Sequence, residues 1–331
     1  MSASFRSTLR NFCLVLGIVG AGSLARSGGA QTPDAGPSVE PDGRATNDLR
    51  LGFTPGREFV YRIATRRIVK QEGEKKPYQS EAKFTLHAKT QSVADREATL
   101  QYRFERVEWS VSGSPADGSF DSQSRPSSGE PPMFASARAM IGKPFLVVLG
   151  DRGQVLTVRG QGIKPDEKKP NAPAMQLVSD SQLRSLLITQ YSWMPSDEVA
   201  GQAPWTREEE LNLGFLSLVR KNEVSIVSTG GGRAHLRSTI RIEDRPGGGL
   251  SQNEIRITGK VFSSKPGVAD IVFHQRLGML ESLTASVAFE MQMNAEPRSK
   301  KDKADSVRQA MEAVTEVRLL AVDGRQIPLA N

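Results

Sequence analysis

Apolar and polar residues alternate with a period of two over most of the chain, which sends successive side chains to opposite faces of an extended strand. Phe59, Tyr61 and Ile63 alternate with Val60, Arg62 and Ala64, and Leu100, Tyr102 and Phe104 alternate with Gln101, Arg103 and Glu105. The longest run comes late, where Leu283, Ala285, Val287, Phe289, Met291 and Met293 share one parity and Thr284, Ser286, Glu290, Gln292 and Asn294 the other. A strand of this kind buries one face and wets the other, as antiparallel sheets do. Turn residues separate the runs at hairpin distance: Gly150-Asp151-Arg152-Gly153 between 144–149 and 154–159, Gly230-Gly231-Gly232 before 234–243, and Pro246 to Gly249 before 254–262. The pattern predicts roughly a dozen strands, most joined to their neighbours as hairpins.

One segment departs from this period. Over 181–192 the residues Leu183, Leu186, Leu187 and Tyr191 follow three-and-four spacing, Ser179 with Gln182 resembles a capping box, and Pro195 ends the run. This predicts a helix of about three turns. The segment 302–312 reads either as a second, short helix or as a charged loop leading into a strand over 314–322. About a dozen strands at ~4.8 Å spacing span roughly 55 Å, whereas one helix covers only about 10 Å. The sheet must therefore curl on itself or fold into two layers. The expected fold is mainly β, a large curved antiparallel sheet or partly closed barrel with one helix packed against it, and a curled sheet of this kind commonly leaves an apolar cavity.

The flanks carry little that could be buried. Residues 1–30 place Arg6 and Arg10 before an apolar stretch and end in small residues, the layout of a secretory signal with cleavage after Ala25 or Ala30. Fifteen residues separate Arg10 from Arg26, fewer than the roughly 20 a permanent helical anchor needs. Residues 31–50 are rich in Pro, Gly, Asp and Ala and read as a flexible spacer, residues 51–323 as one β-rich domain, and 324–331 as a C-terminal tail. Inside the domain, 112–132 has four prolines among Ser, Gly and Asp and is expected to be a disordered surface loop. Removal of the signal would take away the single cysteine, Cys13, and with it any disulfide, thiolate metal site or thiol catalysis. No lipid-attachment box surrounds Cys13, since Arg10-Asn11-Phe12 precede it. The formal net charge of +7 falls to +4 because Arg6, Arg10 and Arg26 leave with the signal and no acid does. That excess is too small and too dispersed to indicate a nucleic-acid partner. The expected location is periplasmic or extracellular.

Several blocks occur in a familiar order. They are Gly56-Arg57-Glu58-Phe59-Val60-Tyr61, Gly150-Asp151-Arg152-Gly153-Gln154-Val155, Leu183-Arg184-Ser185-Leu186-Leu187 running into Met194-Pro195, then Val199-Ala200-Gly201 and Trp205. Gly259, Phe262, Phe273 and Arg276-Leu277-Gly278-Met279-Leu280-Glu281-Ser282 follow. Over residues 50–323 the chain resembles an uncharacterised family of secreted bacterial β-sheet domains, itself distantly similar to the curved-sheet lipoprotein carriers of the bacterial envelope. It departs from that pattern before Trp205, where Gln202-Ala203-Pro204 stand in place of a Gly-Asp pair. The resemblance implies a location and a fold, and ligand binding only by analogy.

Candidate chemistry is sparse. His87, His235 and His274 fall on the polar parity of their strands, and no two have the spacing that sets metal ligands together. The glycine runs 230–232 and 247–249 lack a following Lys-Ser/Thr and helix, so they read as turns, and no Gly-x-Ser-x-Gly elbow occurs. Glu208 and Glu210 would share a strand face, but beside Arg207 and without apolar neighbours they read as a solvated edge. Tyr191, Trp193, Met194 and Trp205 flank the helix exit, where they either pack a core or rim a cavity mouth. They are the speculative ligand-binding residues. Arg298, Lys300, Lys301 and Lys303 form a weak basic patch that could meet anionic lipid or envelope polymer, or simply be a solvated loop.

These readings predict a non-enzymatic exported envelope protein with no catalytic residue, cofactor or metal, which holds a lipid-like or other apolar ligand, or an acylated partner, in the concave face of its sheet. Two other readings stand beside it. One is a structural or interaction module of the envelope without a small ligand; the other is a hydrolase or metal enzyme.

Overall fold

The computed structural model describes residues 49–113, 117–125, 137–160, 180–199, 204–212, 217–245, 250–252, 255–297 and 305–327. Fourteen strands form one antiparallel sheet. They are β1 (Glu58–Gln71), β2 (Tyr78–Ala94), β3 (Glu97–Ser112), β4 (Gly118–Asp121), β5 (Pro144–Gly150), β6 (Val155–Arg159), β7 (Trp205–Asn212), β8 (Ser217–Gly230), β9 (Arg233–Arg245), β10 (Leu250–Gln252), β11 (Ile255–His274), β12 (Met279–Pro297), β13 (Asp305–Val322) and β14 (Arg325–Gln326). The main path runs β6-β5-β3-β2-β1-β13-β12-β11-β9-β8-β7, and the short strands β4, β10 and β14 pair with β3, β11 and β13. The helix α1 (Asp180–Tyr191) and a 3-10 turn (Asp197–Val199) connect the two edge strands, β6 and β7.

The predicted alternation sets the register. Ile63 of β1 stands opposite Val317 of β13, which stands opposite Leu283 of β12, and all three are buried at 2% exposure or less. Each strand of the path buries one of its faces, the parity switching where a bulge intervenes as between Phe104 and Val107 of β3, and the buried residues form a single core. Its ladders shift register at Val60/Tyr61, Thr85/Leu86, Val261/Ser263 and Lys265/Val268. An extra residue on one strand bends it and increases the local twist, which lets a sheet of this width coil instead of lying flat. Two-residue turns of positive φ close two hairpins, Gly231-Gly232 between β8 and β9 and Asp323-Gly324 between β13 and β14. That backbone matches the twist of the strands it joins.

The curved antiparallel sheet with a helix against it matches the expectation, and α1 begins and ends within a residue of the predicted bounds. Three segments differ. The stretch beginning at Asp305 is strand, with neither a helix nor a charged loop before 314. The reason is that Val307 and Gln309 alternate with Ser306, Arg308 and Ala310 and are buried opposite Met293 and Met291. Part of 112–132 is ordered as β4, which pairs Phe120 with Trp109, and Phe120 is buried there. The tail contributes β14, held further by the Ile327 amide donating to the Leu320 carbonyl. The signal, most of the spacer, the basic run at 298–303 and the glycines 247–249 lie outside the described residues.

Candidate functional site

The concave face has two halves, built differently. At one end the chain closes the curve with segments that are not part of the sheet. The stripe Leu183, Leu187 and Tyr191 buries one side of α1, which rests on β6. The helix ends with the Ser192 amide donating to Ile188, and the chain then crosses the concave face as Trp193, Met194 and Pro195. Trp193 meets Phe273 of β11 edge to face at 5.7 Å between ring centroids, and its Nε1 donates to the Gln190 carbonyl at 2.6 Å. Trp205 Nε1 donates to the Trp193 carbonyl, and Asn222 Nδ2 of β8 donates to the Ser192 carbonyl. Gly153 lets this plug approach the β5–β6 turn, since a Cβ there would lie 2.6 Å from Tyr191 Cβ and its φ is +74°.

A strap over residues 49–53 covers the same end. The Leu51 amide donates to the Asp151 carbonyl in the β5–β6 turn, and the Gly52 amide donates to the Gly278 carbonyl in the β11–β12 turn. Its own Leu49 and Leu51 are buried. Arginines lock the parts together. Arg152, with no exposed surface, donates to the Leu49 carbonyl through Nη1 and to Asp197 through Nε. Arg207 of β7 donates to the carbonyls of Arg152 and Met194, both at 3.0 Å. The two sheet edges are thus latched by side chains where no ladder joins them. Asp151 takes ion pairs from Arg50 and Arg96, and Arg96 also binds Asp197. That pairing, with Arg152 adding to it, holds the Asp197 carboxyl below its ordinary value.

Tyr191, Trp193, Met194 and Trp205, the residues singled out from sequence, are therefore brought together, and all are 3% exposed or less. They build the plug itself. The Tyr191 hydroxyl sits between those of Tyr61 and Tyr102, and burial pushes its pKa up to about 12. Tyr61 donates to the Leu280 carbonyl at 3.2 Å. Tyr102 makes no hydrogen bond of ordinary geometry, although it lies near enough to Tyr191 for the two ionisations to oppose each other.

The other half of the concave face is lined by three rows that run across β12, β13 and β1. Phe289 faces Met311 and then Val69, Met291 faces Gln309 and then Gln71, and Met293 faces Val307. Neither the plug nor the strap donates or accepts a described hydrogen bond in these rows. Arg67 lies one row nearer the plug and is 4% exposed, and burial lowers its pKa to about 10.

At the border between the halves lies a polar group that the sequence reading missed. Glu209 of β7, Arg220 of β8 and Ile242 of β9 stand in one cross-strand row, with Arg207, Asn222 and Ile240 in the next. The Glu209 side chain is 10% exposed, its nearest ion-pair partner is Arg207 Nε at 3.7 Å, and its Oε2 has no hydrogen-bond partner among the described residues. Desolvation raises its pKa against the pull of Arg207 and Arg220, and lowers those of both arginines. The Glu-Glu-Glu run hides this carboxylate in the sequence. Only its two-residue steps from Arg207 and the buried Trp205 could have marked it as inward-facing. Its neighbours Glu208 and Glu210 are exposed and pair with Lys221 and Arg245.

The histidines stay apart. His87 lies 3.5 Å from Glu58, His235 is exposed, and His274 Nδ1 accepts the Leu277 amide. No group of three metal-ligating side chains occurs among the described residues. A depression of about 340 Å³ is bordered by Phe262, Met291, Arg308 and Gln309, the Arg308 guanidinium lying over the Phe262 ring at 5.4 Å. Its charges, Lys70 and Arg308 against Glu72 and Glu290, cancel.

No family profile and no curated protein matches the chain. Among solved structures it is similar to lipovitellin, at 11% identity and a TM-score of 0.45 over 85% of this chain, and it spans only 27% of the lipovitellin chain. It is also similar to an outer membrane channel from Pseudomonas putida F1, at 9% identity and a TM-score of 0.22, with 85% of this chain and all of that one covered. A DUF1329 family protein from Desulfovibrio piger matches at 10% identity and a TM-score of 0.17, over 83% of this chain and 88% of that one. Likeness at this level assigns no family and no activity.

Proposed function

We propose that the protein is an exported, non-enzymatic binding protein that holds an apolar or acyl-chain-bearing ligand against the methionine-lined half of its curved sheet, in the cell envelope. The observation that carries this reading is the aligned set Phe289, Met291, Met293 and Met311 on the concave face, away from the plug and strap; Met291 and Met293 are each 1% exposed, so uptake requires these side chains to repack around the ligand. Methionine is unbranched and polarizable, so it moulds to apolar shapes that rigid side chains would exclude, and it is over-used on adaptable binding surfaces. Trp193, Trp205 and the tyrosine trio instead fill the capped end, where they act as packing. Export rests on residues 1–30, whose layout is that of a signal.

Titration of the purified protein with a neutral naphthylamine fluorophore tests the reading. Saturable uptake, displaced by long-chain acyl compounds, is expected. Replacing Met291 and Met293 together by Gln should weaken it about tenfold or more, whereas Val268→Gln on the outer face should leave it unchanged. Absence of saturable uptake by folded protein overturns the proposal.

A further inference from the structure

The polar group at the border of the two halves says what kind of apolar ligand would sit there. Arg220 is 6% exposed, yet the one hydrogen bond its side chain makes among the described residues runs from Nε to Asn222 Oδ1 at 3.2 Å. Glu209 stands directly opposite it across the strands, but none of the described ion pairs joins the two. Among the buried polar groups without described partners are the Gln190 amide, Ser192 Oγ and Ser238 Oγ. Two guanidiniums, Arg207 and Arg220, share one carboxylate, Glu209. A buried cluster of this kind is one negative charge short, and an uncompensated buried charge is costly.

The row through Arg220 leads into the methionine-lined half. Arg220 faces Ile242, whose amide donates to Ser264 Oγ, and Ser264 faces Phe289. Three strand spacings separate Arg220 from Phe289, roughly 14 Å along the sheet, which is the scale of an acyl chain laid across the strands. We propose that Arg220, steered by Asn222, seats the head group of a single-charged long-chain amphiphile, a fatty carboxylate, whose chain lies along this row. A monoanion restores the charge balance of the cluster, which a dianionic phosphate would overshoot. The assignment rests on the apolar-ligand reading above and adds the head group to it.

Competition binding with palmitate and the chain-matched alcohol tests the seat. The wild-type protein should bind the carboxylate about tenfold or more tightly than the alcohol, as a charge-assisted hydrogen bond to a buried guanidinium provides. Arg220→Gln should abolish that preference and leave alcohol affinity unchanged, which also reports that the variant is folded. Equal affinities in the wild-type protein, or a preference that survives Arg220→Gln, overturn the seat while the apolar reading stands. Binding of neither compound overturns both.

Discussion

The capped end and the methionine-lined end of the concave face are made from the same strands with the same alternation, yet they satisfy their buried face in opposite ways. At the capped end, segments distant in sequence are pinned over the sheet: the strap by backbone bonds to two turns, the plug by Trp193, Trp205 and Asn222, the sheet edges by Arg152 and Arg207. Rigid aromatics and directional bonds specify one arrangement there. At the other end the lining is Met291, Met293 and Met311, unbranched side chains with many rotamers, together with Phe289, Val69, Val307 and the amides of Gln309 and Gln71. One end is pinned by directional bonds, and the other is packed by flexible side chains.

The sharpest way to break that comparison is to truncate one lining residue at each end. Trp193→Ala should cost about 3–5 kcal/mol, the range for a large aromatic removed from a packed core. Met291→Ala in ligand-free protein should cost less than about 2 kcal/mol, below the usual range for a packed methionine. Urea denaturation midpoints measure both. Equal losses would mean that the two ends are packed alike.

A smaller effect tests the strap separately. Gly278 has φ +62°, and a Cβ on it would lie 2.2 Å from the Gly52 amide nitrogen, so alanine there must lift the strap and with it the buried Leu49 and Leu51. Gly324 has φ +75° with nothing within 4 Å of a Cβ, so alanine meets only the left-handed backbone penalty, about 1 kcal/mol. Gly278→Ala should cost at least about 1–2 kcal/mol more than Gly324→Ala, read from thermal unfolding. If the two match, the strap contributes little to closing that end.

The two ends also differ in how far the sequence revealed them. The methionine rows were legible because parity alone sets which side chains share a face, and the β12 run from Leu283 to Met293 declares its own. The cap was only half legible. Its plug followed from the helix and Pro195, but the strap did not, because Leu49 and Leu51 sit in a Pro- and Gly-rich lead whose partners, Asp151 and Gly278, are over 90 residues away. Arg152 reads as an exposed turn residue in Gly-Asp-Arg-Gly. Its burial depends on the Leu49 carbonyl and Asp197, a coincidence of three distant segments that no local period records. Val307 and Gln309 were obscured by the charges around them, and their strand character becomes evident only opposite Met293 and Met291.

The smallest expected effect is a difference in sign. Asp197 at the cap has its pKa held below the ordinary 3.8 by Arg96 first and Arg152 second. Its pairing therefore stabilises the fold fully above that value and is lost as pH falls through the depressed one. Because Asp197 is half exposed, Asp197→Asn should cost less than about 1 kcal/mol at pH 7 and little in acid. Glu209 at the border of the methionine-lined half behaves in reverse. Burial raises its pKa above the ordinary 4.5, so the folded carboxyl keeps a proton that the unfolded chain gives up. Stability is then highest below 4.5 and falls as pH rises through the raised value. Relative to the parent, Glu209→Gln should gain stability between pH 4 and pH 7, because only the parent carboxyl gives up its proton over that interval, in ligand-free protein unfolded by urea at both pH values. A variant that loses ground on the parent over the same interval would mean that Glu209 is held by its arginines as firmly as Asp197 is by its own. The border would then belong to the rigid end of the molecule.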